Sequence, residues 1–246
     1  MQQRLPSQFR HPIAFAHRGA RAHAQENTLD SFRLALRLGA TGLESDIWIT
    51  SDGELVLDHD GVVKVGARKR TIPQVTRSQL PSYVPTLDEL LNACGTAYHV
   101  SLDIKDPAVV PVLMSVVRNR DVSLLERLWL CHPDYHFLEA NRSTTTGAHL
   151  VDSTRLVRIK EGPERRAATL AANGIEVCNL HYTDWSGGLV ALFHRFGIAA
   201  FSWDLQYEPY LTSALRMGVD AVYSDWVDRM VDVYRQEVGD PEIGPL

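Results

Sequence analysis

The stretch Thr41-Gly42-Leu43-Glu44-Ser45-Asp46-Ile47-Trp48 alternates at the period of a β-strand, with Leu43 and Ile47 on one face and Glu44 and Asp46 on the other. Two carboxylates side by side repel, and such a pair is usually held together by a cation. Oxygen ligands at a strand end suit Mg²⁺ or Ca²⁺ better than zinc. The strand follows a helix-like segment through Leu38-Gly39-Ala40, and the same helix-Gly-strand junction recurs at Phe196-Gly197-Ile198 and Met217-Gly218-Val219. Repeated junctions of this kind point to βα modules.

Outward from that stretch, apolar or β-branched runs occur at Ile13 to Ala16, Gly42 to Ile49, Tyr98 to Ile104, Arg127 to Cys131, His149 to Val151, Ile175 to Leu180, Ile198 to Trp203 and Val219 to Tyr223. Amphipathic segments of helical length lie between and after them: Leu29 to Leu38, Leu87 to Ala93, Ala108 to Arg118, Tyr135 to Arg142, Pro163 to Asn173, Gly188 to Phe196, Glu208 to Met217 and Val227 to Gln236. Strict alternation implies parallel strands, because each crossover carries a helix back over the sheet face. Eight such units predict a (β/α)8 TIM barrel, an α/β fold. A short hairpin, Glu54 to Leu57 after the turn Asp52-Gly53, follows the second strand, and Gly61 to Pro85 is expected as a long irregular loop.

The 246 residues, 45% hydrophobic, are expected to form a single domain over 1–246, since one barrel commonly needs ~250 residues. A net charge of −5 argues against nucleic acid as a partner. The one basic cluster, Lys64 to Arg70, reads as a solvated loop. Cys94, Cys131 and Cys178 form no CxxC pair and read as reduced core thiols. No apolar run reaches the ~20 residues that span a bilayer, and the N-terminus lacks the ~7 to 15 apolar residues of a signal peptide. A cytoplasmic protein without stable membrane insertion is expected.

Active sites of such barrels gather at the C-terminal ends of the strands. His17 ends the first predicted strand, Glu44 and Asp46 lie on the second, His59 follows the hairpin, Asp103 and Lys105 end the third, and Trp203 ends the seventh. Any one of these has a bland structural reading; their convergence on one mouth does not. Among the other histidines only His132 and His136 are i, i+4, and Pro133 between them starts a helix instead of continuing one, so no metal pair is expected there. Glu26 and Asn27 read as braces of the first loop.

The ordered set His17-Arg18-Gly19, Glu26-Asn27-Thr28, Glu44-x-Asp46 and His59-Asp60 resembles the glycerophosphodiester phosphodiesterases, metal-dependent TIM-barrel hydrolases. Val84 to Glu89, Leu102 to Lys105, Ser202-Trp203 and Gly218 to Asp225 extend the resemblance over nearly the whole chain. It implies a divalent metal, Mg²⁺ or Ca²⁺, on Glu44, Asp46 and Asp103, with Arg18 and Lys105 on the phosphate oxygens and Trp203 against the substrate's carbon skeleton. His17 and His59 would share proton transfer, with His17 the expected base and His59 the expected acid. Two departures stand out: Asp103 where the family usually carries Glu, and a more acidic tail, Trp203-Asp204-Leu205-Gln206. The implied reaction takes a small deacylated diester, such as glycerophosphocholine or glycerophosphoethanolamine, to glycerol 3-phosphate and an alcohol. The competing readings are a lysophospholipase D-type enzyme on lysolipids, a noncatalytic phosphodiester-binding barrel and a barrel with an unrelated ligand.

Overall fold

In the computed structural model, which describes residues 4–243, elements follow in the order β1 (Ile13–Ala16), α1 (Leu29–Arg37), β2 (Gly42–Ile49), β3 (Leu55–Leu57), β4 (Val62–Val65), β5 (Arg68–Thr71), α2 (Leu87–Cys94), β6 (His99–Ile104) and α3 (Val109–Arg120). The chain continues through β7 (Leu128–His132), α4 (Tyr135–Asn141), β8 (His149–Thr154), α5 (Pro163–Ala172), β9 (Val177–His181), α6 (Gly187–Arg195), β10 (Ala199–Trp203), α7 (Glu208–Arg216), β11 (Ala221–Ser224) and α8 (Val227–Glu237). Local chemistry sets the junctions. Thr28 opens α1 by accepting the Ser31 N–H while Ser31 Oγ accepts the Thr28 N–H, both at 3.3 Å. Gly39, at φ +101°, then turns the chain toward β2.

β1, β2 and β6 to β11 form a parallel barrel, closed where Phe15 and Ala16 of β1 register with Gly42 and Leu43 of β2. All the predicted strands and helices are present. The largest boundary shift is at β8, which runs to Thr154 because Ser153 and Thr154 pair with Asn179 and Leu180 of β9. Polar residues extend that strand, and a hydrophobicity pattern stops short of them.

Gly61 to Pro85 differs from the expected irregular loop. It holds the antiparallel hairpin β4–β5 and two 3-10 turns, and its apolar residues Val63, Ile72, Val75, Leu80 and Val84 pack with Val56 into a separate small core. Every side chain of β5 is exposed, so this strand carries no apolar signature. The basic side chains Lys64, Arg68, Lys69 and Arg70 are all exposed, as expected of a solvated run. No helix among the described residues is long and apolar enough to cross a membrane.

The barrel interior is apolar in its lower layers. Ile13, Phe15, Trp129, Val151, Val177, Phe201 and Tyr223 form its core, and Phe9, from the segment before β1, packs against Trp129 and Phe201. Phe15 stacks on Tyr223 with ring centroids 4.7 Å apart. The same inward face turns polar toward the C-terminal strand ends, so the site sits on a packed floor.

Gly42 is part of that floor. A Cβ there would lie 2.6 Å from Phe15 Cε1 and 3.2 Å from Ile13 Cγ2, and neither buried side chain has room to yield. Gly42→Ala is therefore expected to cost about 1–3 kcal/mol of stability, as overpacking typically does. The midpoint of thermal unfolding followed by circular dichroism should fall by several degrees; an unchanged midpoint would show that the floor is looser than described.

Candidate active site

β2 carries Glu44 and Asp46 into the mouth, and the parallel register of β2 with β6 sets Asp46 opposite Asp103 and Glu44 opposite Ser101. Glu44, Asp46 and Asp103 can each offer an oxygen with all three lying within 4.8 Å of one another. Only 6% of Glu44 and 2% of Asp46 is exposed, so their charges are poorly screened. Burial pushes the Glu44 carboxyl far above its ordinary value, the charges of Asp46 and Asp103 push it further, and His17 opposes them. Asp103 is raised by burial and by Asp46 against the pull of Lys105. Burial works against the charge of Lys105, but Asp103 and Asp46 outweigh it and hold the ammonium protonated. Its Nζ lies 2.8 Å from Asp46 Oδ1 and 3.3 Å from Asp103 Oδ2.

The other oxygen of Asp46, Oδ2, is buried without a hydrogen-bond partner, 3.6 Å from an equally unpartnered Arg18 Nε. An orphaned carboxylate oxygen among three converging carboxylates is a donor set that fits a hard divalent cation. These residues could hold Mg²⁺ or Ca²⁺ without help from nitrogen or sulfur ligands.

Barrel closure builds the histidine side. Ala16 registers with Ser224, so the next residues, His17 and Asp225, leave neighbouring strands together. His17 Nδ1 lies 2.6 Å from Asp225 Oδ1, and its Nε2 is 3.9 Å from Glu44 Oε2. Burial alone would lower the imidazole, but Glu44 and the bond to Asp225 prevail and raise it above its ordinary value. Burial would raise Asp225 in turn, yet His17 and Arg21 hold it below the usual carboxylate range. Arg18 sits in the left-handed region, at φ +52°, which lets its N–H donate to Glu44 Oε2 at 2.9 Å while its guanidinium reaches Glu26 at 3.2 Å. Asn27 accepts the Ser45 hydroxyl from the outer face of β2 at 2.7 Å. Glu26 and Asn27 thus brace the first loop as their sequence context suggests.

His59 arrives from the β2–β3 hairpin. The Asp58 carbonyl accepts Trp48 Nε1–H at 2.8 Å and the Asp58 N–H donates to the Asp46 carbonyl at 3.1 Å, which pins the segment to β2. His59 Nδ1 is 2.8 Å from Asp60 Oδ1, and the ring is half-exposed.

His17, Arg18, Glu44, Asp46, His59, Asp103, Lys105 and Trp203 all line one cavity of about 270 Å³. Ser153, Asn179 and Asp204 join them, and Asp225 stands behind His17. A serine or asparagine in a strand carries no sequence signal of a site. Asp225 does carry one, because a closed barrel makes its first and last strands neighbours, and His17 and Asp225 each follow one of those strands. His132 and His136 stay outside the cavity, where His132 Nδ1 accepts the Asp134 N–H and His136 lies beside Glu139. His181 reaches the rim through Asp204, at 3.0 Å.

Comparison with known proteins places this arrangement. A glycerophosphodiester phosphodiesterase of Caldanaerobacter subterraneus is 23% identical over 252 residues, covering 91% of this chain and 98% of the relative. The crystal structure of a glycerophosphodiester phosphodiesterase from Thermotoga maritima superposes with a TM-score of 0.77 at 22% identity, covering 91% and 98% of the two chains. An Oleispira antarctica phosphodiesterase, in complex with the product sn-glycerol-3-phosphate, gives a TM-score of 0.74 at 19% identity over 91% and 96%. At these identities the structural likenesses speak for the fold. Residues 17–229 match the model of the glycerophosphoryl diester phosphodiesterase family. That match contains every cavity residue named above, and the chain belongs to the glycerophosphoryl diester phosphodiesterase family.

Proposed function

We propose that this protein is a metal-dependent hydrolase of small glycerophosphodiesters, acting as one domain over residues 1–246 and releasing glycerol 3-phosphate and an alcohol. One observation carries the reading: three carboxylates, one with an orphaned oxygen, converge beside two carboxylate-paired histidines and two cations in a single cavity. A Mg²⁺ or Ca²⁺ ion on Glu44, Asp46 and Asp103 would polarise the phosphodiester and offset its developing charge. Arg18 and Lys105 supply fixed donors for the non-bridging oxygens. Trp203 gives the carbon skeleton a flat wall.

Hydrolysis needs one group to take a proton from the attacking hydroxyl and another to give one to the leaving alkoxide. The electrostatics favour the reverse of the order expected from sequence. His17, raised by Glu44 and Asp225, is suited to hold the proton and deliver it from Nε2, so it is assigned as the acid. His59, half-exposed to water and oriented through Nδ1 by Asp60, is assigned as the base. Asp225 is a positioning residue that fixes the His17 ring. Val63, Ile72, Val75, Leu80 and Val84 of the Gly61 to Pro85 segment are enclosed in its own small core, while Val62 and Tyr83 are exposed, so most of its apolar surface is unable to shelter an acyl chain, which supports deacylated diesters as substrates. A cytoplasmic setting belongs to the proposal and agrees with three unpaired thiols, Cys94, Cys131 and Cys178.

Chelation should abolish activity, and Mg²⁺ or Ca²⁺ should restore it. Asp103→Asn, which removes a charge, should weaken metal binding more than Asp103→Glu, which lengthens the carboxylate by one methylene. Calorimetric titration of metal into the stripped proteins measures this, and normal binding by Asp103→Asn would remove Asp103 from the ligand set.

His17→Ala and His59→Ala should each lose about 10²- to 10⁴-fold in kcat with the fold retained. A plot of kcat/KM against pH should be bell-shaped. Asp225 raises the imidazole, so Asp225→Asn lowers the pH at which His17 loses its proton and should shift the alkaline limb downward. An unmoved limb would deny His17 the role of acid.

On matched pairs, glycerophosphocholine should give a higher kcat/KM than lysophosphatidylcholine, with glycerol 3-phosphate as the phosphorus-containing product of the former. A preference for the lysolipid, or release of phosphocholine, would redirect the reading to lipids or to the opposite bond.

A further inference from the structure

The closed strand order puts β10 four strands from β6 in either direction, so Trp203 and Asp204 lie across the cavity from Asp103. Asp204 adopts φ +66°, a left-handed conformation that aspartate tolerates but that must be held in place by its surroundings. Two contacts hold it: Oδ2 lies 3.0 Å from His181 Nε2, and Oδ1 accepts Gln206 Nε2–H at 3.2 Å. His181 is itself positioned by Thr183, whose hydroxyl and backbone N–H lie 2.7 and 3.3 Å from Nδ1. Arg155, whose guanidinium lies 5.8 Å from the Trp203 ring, is neutralised by two bonds to Asp184 at 2.6 and 3.1 Å.

A run of aromatic rings leads outward from this carboxylate, beginning at its partner His181, whose ring lies 4.6 Å from that of Tyr182. The His181 ring meets Trp203 edge-on at 4.6 Å, Tyr182 stacks on Tyr210 at 4.6 Å, and Tyr207 meets Tyr210 edge-on at 6.1 Å. Tyr207 is 61% exposed and Tyr210 44%, so the ledge runs from the cavity rim into water. A carboxylate beside π faces at the rim of a cavity is suited to an organic cation.

We propose that Asp204, with Tyr182, Tyr207 and Tyr210, forms the subsite for the alcohol half of the substrate and selects diesters whose alcohol carries an ammonium or quaternary ammonium group. The subsite rests on the hydrolytic reading above. It gives the acidic tail after β10 a purpose, because Asp204 attracts a cationic alcohol by charge, offers a neutral one only hydrogen bonds and repels an anionic one.

The test is the ratio of kcat/KM for glycerophosphocholine to that for glycerophosphoglycerol, measured with the metal-loaded enzyme by release of free alcohol. The ratio should exceed one in the wild type. Asp204→Asn keeps the side-chain shape and the left-handed backbone while removing the charge, and should lower the ratio about tenfold. Tyr210→Leu should lower it in the same direction. A ratio of one in the wild type, or one unchanged in both variants while both diesters are still cleaved, overturns the subsite and leaves the hydrolytic reading standing. Cleavage of neither diester by the wild type overturns the hydrolytic reading, and the subsite with it.

Discussion

Three carboxylates crowded into a poorly solvated barrel mouth set the terms for the rest of this molecule. Glu44, Asp46 and Asp103 come within 4.8 Å of one another where burial penalises each charge. Left alone, such a cluster would protonate or pull apart. Lys105 grips Asp46 and Asp103, the Arg18 N–H and His17 meet Glu44, and one Asp46 oxygen still finds no partner. The remaining imbalance suits a divalent cation, and Arg18 and Lys105, the proposed phosphate donors, are the same groups that stabilise the cluster without it.

Rigid strands are what allow the crowding. Asp46 and Asp103 are held in register by the β2–β6 ladder, and β2 and β6 stand on an interior floor of close-packed aromatic and aliphatic side chains. A loop bearing the same charges would swing them into water. The proposed acid and base come from less constrained places: His17 from a tight turn whose Arg18 and Asn27 take left-handed conformations, and His59 from a hairpin end pinned to β2 by Trp48 and Asp46. The site therefore joins a fixed electrostatic centre to two histidines that approach it from the first strand and from the hairpin beyond the second.

Each of these histidines also has its own carboxylate, Asp225 for His17 and Asp60 for His59, but the two environments differ. His17 is enclosed and has Glu44 on its other nitrogen, whereas His59 meets solvent. Burial and neighbouring charge thus set similar side chains apart, which is the basis of the separate tasks proposed for them. Across the mouth, Asp204 is held by His181 and Gln206 beside the Trp203 ring, so the two sides of the cavity differ in their chemistry.

Much of this was legible in the chain. The period-two alternation around Glu44 and Asp46, the helix-Gly-strand junctions and the polar residues at successive strand ends are local patterns, and local patterns settle strand faces, the alternation of β and α, and which side chains gather at one mouth. The β4–β5 hairpin escaped because β5 has no buried side chain, and β8 ran long because polar Ser153 and Thr154 extend its ladder. Sequence could name the carboxylates and histidines. It could not say how near they stand, which oxygen is orphaned, or which imidazole is raised, because those depend on distances between residues far apart in the chain and on how much water the folded barrel removes from around them.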